Sequence, residues 1–195
     1  MDEDMQRHSV RFCTMILAVA GPLALVAATH RSTTQASDSA IRQYCNEQYM
    51  YCVTLPSSGK VEPHEGDAPN HGVTLKLQEL ENEAWTYAHW DAALLGSSQK
   101  AALQRFEAFF NEHPNAEVSM APTMIAGLSA YRIRFSYVDI RPVTEELVVA
   151  YGKPKDESQG PGIIYEIGVK CGQKSYASNA STLDSLIATF RRTGE

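Results

Sequence analysis

Two imidazoles and three carboxylates fall within one ten-residue stretch of this chain: Glu62, His64, Glu65, Asp67 and His71. Zinc takes nitrogen and oxygen ligands of this kind, usually four at a time. A divalent metal held by Glu62, His64, Asp67 and His71 is therefore the one cofactor the residues suggest; nothing else in the chain asks for one. The spacing weakens even that. His64 and His71 are not at the i, i+4 separation of a helical zinc motif, and Pro63 and Pro69 stiffen the segment. The plainer expectation is a solvated acidic loop.

Other reactive arrangements are thinner. Gly127-Leu128-Ser129-Ala130-Tyr131 begins like a nucleophile elbow, but Tyr131 stands where a second glycine is required. A strand pattern follows it, not a helix. His89 beside Asp91 has the makings of a general base near a carboxylate; a structural histidine at a strand edge is the simpler expectation. Trp85, Tyr87, Trp90, Tyr131 and Tyr137 could line a ligand groove, but core packing is the stronger reading of them. No residue is assigned a catalytic role, and the chain reads as a binding module sooner than an enzyme. The alternative is a small metal-binding protein or hydrolase built on the His64–His71 loop.

The cysteines depend on the compartment. Arg7 and Arg11 precede an uncharged apolar run, Phe12 to Thr29, which ends at His30-Arg31. This reads as an export signal. Gly21-Pro22 interrupt the run, and small residues precede cuts after Ala28 or Ala36. A cleaved signal is the favoured reading; the run is also long enough for an uncleaved anchor, the main alternative, which the acidic start at Asp2, Glu3 and Asp4 keeps open. Either way the protein is expected outside the cytoplasm, periplasmic or secreted, with a membrane contact only through residues 12–29 if they are kept. In an oxidising compartment Cys45, Cys52 and Cys171 are disulfide candidates. Cys45 and Cys52 would stand about 23 Å apart on one straight strand, too far for a bridge, so pairing them needs a turn near Glu47-Gln48. That hairpin bridge is the favoured one; Cys52–Cys171 and three buried thiols are the alternatives.

The elements that must position these groups follow from periodicity. Residues 1–30 form the export segment or anchor, residues 31–42 a small, polar tether, and residues 43–192 a single domain. Tyr49–Leu55, Gly72–Leu77, Ala84–Trp90, Glu117–Met120, Gly127–Asp139, Val143–Tyr151 and Ile163–Cys171 read as strands, with the strongest alternation in Tyr131, Ile133, Phe135 and Tyr137 against Arg132, Arg134 and Ser136. Lys60 to His71 and Gly152 to Gly162 read as loops. Ser97–Glu112 is a helix whose Ala102, Leu103, Phe106, Phe109 and Phe110 share one face, making three phenylalanines core candidates. A second helix is expected from Ser178 to Arg192, with Ser181 and Asp184 as its capping box. Antiparallel strands with two helices give an α+β fold, and one helix on each sheet face makes an α/β/α sandwich.

Three local cues then carry a resemblance over about Tyr44 to Arg192. The chain has an aromatic opening strand that ends in proline (YMYCVTLP), an amphipathic helix in mid-chain, and a tyrosine-bearing strand (GIIYEIGVKC) running into a last helix that ends LIATFRR. In these respects it resembles the PsbP-like fold, named for an extrinsic subunit of photosystem II. That resemblance implies a domain that binds or assists other proteins, and it carries over no functional residue. The net charge of −6 argues against nucleic acid as a partner. The expected function is an exported, non-catalytic domain that binds an as yet unknown protein partner or assists envelope assembly.

Overall fold

The computed structural model describes residues 42–57, 59–64, 71–77, 82–153 and 161–193. Within them the chain runs β1 (Arg42–Asn46), β2 (Tyr51–Leu55), β3 (Lys60–His64), β4 (His71–Lys76), β5 (Glu83–Trp90), α1 (Ser98–Glu112), β6 (Glu117–Ile125), β7 (Leu128–Val138), β8 (Pro142–Gly152), β9 (Ile163–Gly172), α2 (Tyr176–Thr189) and β10 (Arg191–Arg192). Seven strands pair antiparallel in the order β3-β4-β5-β9-β8-β7-β6, and a second small sheet has the order β1-β2-β10. The fold is α+β, as the periodicity implies. Among the described residues no helix is long and apolar enough to cross a membrane; Phe12–Thr29 lies outside them.

Alternation divides the large sheet into two faces, because neighbours on a strand point to opposite sides and cross-strand partners to the same side. On one face Ile133, Phe135, Leu147, Val149, Ile164 and Trp85 pack against Ala101, Ala102 and Phe109 of α1. On the other, Val148, Tyr165, Ile167 and Val169 pack against Leu183, Leu186, Phe190 and the small sheet. The sheet is covered on both sides, so burial in its central strands does not alternate: eight consecutive residues of β8, Val143 to Ala150, are buried, Thr144, Glu145 and Glu146 among them. Tyr51 and Tyr165 sit deep in the second core, with Tyr51 against Phe190 at 5.7 Å between ring centres. The Tyr165 hydroxyl donates to the Tyr49 carbonyl at 3.0 Å, which supplies the polar tip with the partner that burial demands.

Several elements differ from the sequence expectation. Lys60 to His71 is not all loop: Lys60–His64 pairs with β4, with Val61 opposite Leu75 and packed on the core. One apolar residue in that strand was too weak a pattern to register. β6 continues five residues past Met120 because it is an outer strand paired on one side only, so most of its side chains meet water and show no alternation. The last helix begins at Tyr176 and stops at Thr189; Arg191-Arg192 leave it to pair with Cys52 and Tyr51. Ser181 and Asp184 therefore lie inside α2, and Asp184 is used differently, accepting from Arg132 Nη2 at 3.0 Å. Cys45 and Cys52 are joined across the β1–β2 ladder, where they are register partners 4.1 Å apart at Cα, and the turn that brings them together is residues 47–50. Cys171 is a buried thiol that donates to the Thr144 carbonyl.

The sheet forks at one end. The β7–β8 ladder stops at Ala130 opposite Ala150. β6–β7 runs on to Ile125 opposite Leu128, and β8–β9 to Gly152 opposite Ile163. Ala126 (φ 46°) and Gly127 (φ 77°) close the β6–β7 tip as a two-residue turn with both φ positive, the twist a tight hairpin requires.

Candidate functional surface

α1 is the element that shapes the most distinctive surface. Its N-terminus is capped by the Ser97 hydroxyl, which accepts from the Lys100 amide at 3.3 Å, and its last turn closes with His113 N–H on the Phe109 carbonyl. The buried stripe is Ser98, Ala101, Ala102 and Phe109. This corrects the expectation that all three phenylalanines are core. Phe109 alone is buried, stacked on Phe135 at 3.8 Å between centres. Two alanines where the helix meets β7 and β8 bring it close to the sheet, and the helix is rolled so that Arg105 reaches one flank and Leu103, Phe106 and Phe110 the other.

The rolled-out flank faces β6. Arg105 extends toward Glu145 of β8 and Glu166 of β9, so the opposite side of the helix overlooks β7 and the outer strand. On β6, Val118, Met120, Pro122 and Met124 lie opposite Phe135, Ile133, Tyr131 and Ser129 and share their face. Exposure is 39% for Leu103, 40% for Phe110, 38% for Met120 and 60% for Met124. Phe106 and Phe110 stack at 5.7 Å. The result is a strip of large apolar groups between helix and outer strand. Hollows mark both its ends, one where Gly96–Gln99 meets Pro122–Met124 and one where Glu112–Ala116 meets Glu117 and Val138. Scattered apolar residues on a surface mean little, but large apolar groups gathered on one helix flank and on the outer strand it faces make this the candidate surface of the domain. Sequence reasoning missed it because 3.6-residue periodicity shows that Leu103, Phe106, Phe109 and Phe110 share a side of the helix and not how that side is turned.

The other flank of α1 carries charge. Arg105 Nη2 donates to Glu145 at 3.1 Å, its Nε lies 3.7 Å from Glu166, and Glu166 lies 3.8 Å from His89 Nε2. Burial raises the Glu145 pKa, with Arg105 and Lys170 pulling it partly back. Burial alone would lower the His89 pKa; the Glu166 carboxylate, the Trp90 carbonyl and Asp91 together outweigh it and raise the value. This network ties α1 to β5, β8 and β9.

The sequence-derived candidates are placed as follows. Glu62 is ion-paired to Lys60 at 3.2 Å on an exposed strand, and the His71 ring packs 5.0 Å from Tyr49 on the other side of the sheet. Asp67 lies outside the described residues, as does the side chain of His64. Among the described residues no group of three histidine, cysteine or acidic side chains could hold a metal. Ser129 lies in β7 just past a hairpin turn, opposite Met124, and not at a strand-to-helix elbow. The carboxylate facing His89 is Glu166; Asp91 instead accepts the Leu95 and Gly96 amides at 2.9 and 2.8 Å. The five aromatics do not share a groove, since Trp85 and Tyr137 are buried under α1 while Trp90 packs on Tyr49 across the sheet.

No family model and no curated protein matches the chain. Solved structures do. The solution structure of cyanobacterial PsbP (CyanoP) from Synechocystis sp. PCC 6803 has a TM-score of 0.58 and 12% identity, covering 81% of this chain and 97% of that one. The crystal structure of LpqN, described as involved in cell envelope biogenesis of Mycobacterium tuberculosis, has a TM-score of 0.54 and 12% identity, covering 80% of this chain and 87% of that one. The fold is PsbP-like, and at such identities the likeness speaks for the fold alone.

Proposed function

We propose that this chain is an exported, non-catalytic domain of the cell envelope that holds a protein partner on the surface between α1 and β6. The observation that carries the reading is the exposure of Leu103 and Phe110 on α1 and of Met120 and Met124 on β6, with the half-buried Phe106 stacked on Phe110, while Ala101, Ala102 and Phe109 of the same helix seal the core. Aromatic and methionine side chains are the groups enriched where proteins meet, and packing them under a partner removes their contact with water. Export is supported by the Cys45–Cys52 bridge, which needs an oxidising compartment, and by the basic-then-apolar segment ahead of the fold. Envelope placement is further supported by the likeness to LpqN.

The test is site-specific photocrosslinking in the native host. Benzoylphenylalanine at Met120 gives one discrete adduct with a second polypeptide, recovered outside the cytoplasm, and adding Phe110→Glu abolishes it. The same group at Ser181, exposed on α2, gives none. An adduct indifferent to Phe110→Glu, or a chain confined to the cytoplasm, overturns the reading.

A further inference from the structure

We propose that the partner held between α1 and β6 presents a basic amphipathic helix, laid beside α1 on the same face of the sheet. The inference rests on the partner-binding reading above and names the element that meets the surface.

Main-chain geometry argues against an added strand. Ile125 and Leu128 flank a two-residue turn, so they exchange both ladder bonds, and bonded and non-bonded pairs alternate from there along β6. Pro122, opposite Tyr131, falls in a non-bonded pair and turns its nitrogen to the free edge. An incoming strand therefore meets no N–H in the second half of β6 between Met120 and Met124, which is how a proline blunts an edge. The face of β6, not its edge, is what a partner can use.

The dimensions suit a helix. α1 sits over β7 and β8, with Ala101, Ala102 and Phe109 against the core residues of those strands. Strands lie about 4.8 Å apart and packed helices about 8–10 Å, so a neighbour of α1 comes down over β6. From Met120 to Met124 the strand runs about 14 Å, the length of about nine helical residues. Apolar side chains at i, i+3 or i+4 and i+7 of such a helix would meet Leu103 and Phe110 on one side and Met120 and Met124 on the other.

Charge selects which helix. Glu107, one turn beyond Leu103 and three residues before Phe110, stands on the solvent side of the apolar flank. Glu112 and Glu117 line the hollow of about 470 Å³ beyond it, with Tyr137. Glu112 is in the last turn of α1, where the helix dipole disfavours an acid and no base accompanies it. Among the described residues none of these three carboxylates is ion-paired, whereas Glu83, Glu145, Glu146 and Glu166 all are. The bases of α1 do not offset them: Arg105 is turned to Glu145 and Glu166, and Lys100 lies in the first turn. A second copy of this chain would bring the same acids and its own net charge of −6. Lysine or arginine beside the apolar stripe of a partner helix would complement them.

The Met120 crosslink supplies the test. The adduct is digested and the attached segment of the partner sequenced by mass spectrometry. Expected is a segment with apolar residues at i, i+3 or i+4 and i+7 and an excess of lysine and arginine. Its synthetic peptide, titrated against the purified full chain, should gain helical circular dichroism on binding. The double variant Glu107→Lys/Glu112→Lys should weaken that binding at least tenfold, and a peptide with its basic residues changed to glutamate should recover it. Both positions are exposed, so the variant should unfold within a few degrees of the parent. A segment of period two, an acidic segment, a segment of a second copy of this chain, or binding indifferent to the charge reversal overturns this inference and leaves the partner-binding reading standing. Absence of any adduct overturns both.

Discussion

Gly168 lies directly beneath the indole of Trp85. The two residues are cross-strand partners on β9 and β5, and a Cβ at position 168 would stand 2.6 Å from Trp85 Cε2. Trp85 is buried and belongs to the core that α1 seals, so it has little freedom to move aside. The glycine is there for space, since a strand interior otherwise disfavours it. Gly168→Ala is expected to lower unfolding free energy by about 2 kcal/mol through overpacking. Denaturant titration followed by tryptophan fluorescence checks it. A midpoint equal to the parent's would mean that the indole shifts freely.

Glu146 provides a second test, this time of charge. Its side chain is only 1% exposed on β8, where it receives Arg132 Nε and Arg134 Nε, and Arg132 also reaches Asp184 on α2. The cluster fastens α2 to the sheet beside the Tyr176 ring, over which Arg134 lies at 4.8 Å. Removing the shared acid leaves two guanidinium groups without their common acceptor. Glu146→Ala should cost about 3 kcal/mol, the low end for breaking a buried pair because both arginines can turn to water. Asp184→Ala, which removes an exposed partner, should cost about 0.5 kcal/mol. Chemical unfolding of both variants decides; equal effects would show that the burial of Glu146 confers nothing.

The Cys45–Cys52 bridge closes a short loop, with a sequence separation of 7. The chain-entropy account assigns about 2.5 kcal/mol to a loop of that size. Strands β1 and β2 also hold together by their ladder and by packing on the second core, so the double variant Cys45→Ala/Cys52→Ala should keep the fold and lose about that much stability. The parent should respond to reductant by a similar drop and the variant should not. A variant that unfolds no earlier than the parent would show the bridge to be redundant with the hairpin.

What could be read from the residues, and what could not, divides along physical lines. Tyr131, Ile133, Phe135 and Tyr137 alternate with charged neighbours, so β7 was legible, and the same holds for the apolar run of β9. The hairpin bridge was legible because seven residues leave room for a turn. β3 was not, since one inward valine among Lys60, Glu62 and Pro63 carries no period, and neither was the full length of β6, whose outer position frees it from alternation. The surface between α1 and β6 depends on the roll of a helix, which Ala101 and Ala102 set by their contact with β7 and β8; no spacing encodes it. The fork depends on where a ladder stops, a property of three strands together. Arg192 was read as the end of a helix and stands instead at the edge of a cleft, because Phe190 leaves the helical conformation with ψ at 132° and turns the chain into the small sheet.

His89 makes the stability of this domain depend on pH in one direction. Its pKa is raised above the ordinary value of 6.5 in the folded state: burial opposes the charged form, but Glu166 at 3.8 Å, the Trp90 carbonyl and Asp91 favour it more. A base whose folded pKa exceeds its unfolded one binds its proton more tightly when folded. Its stabilising contribution is therefore complete below pH 6.5 and is lost as pH rises through the raised value. Arg105 competes for Glu166 and keeps the effect small, on the order of 0.5 kcal/mol for a partly exposed pair. Glu145, whose pKa burial also raises, contributes with the same sign from a lower starting value of 4.5. Comparison with His89→Gln separates the two. The unfolding free energy of the parent should exceed that of the variant at pH 5.5, and the two curves should converge above neutrality while both retain the Glu145 slope. Curves that run parallel from pH 5 to pH 8 would show that His89 carries no proton-linked stability.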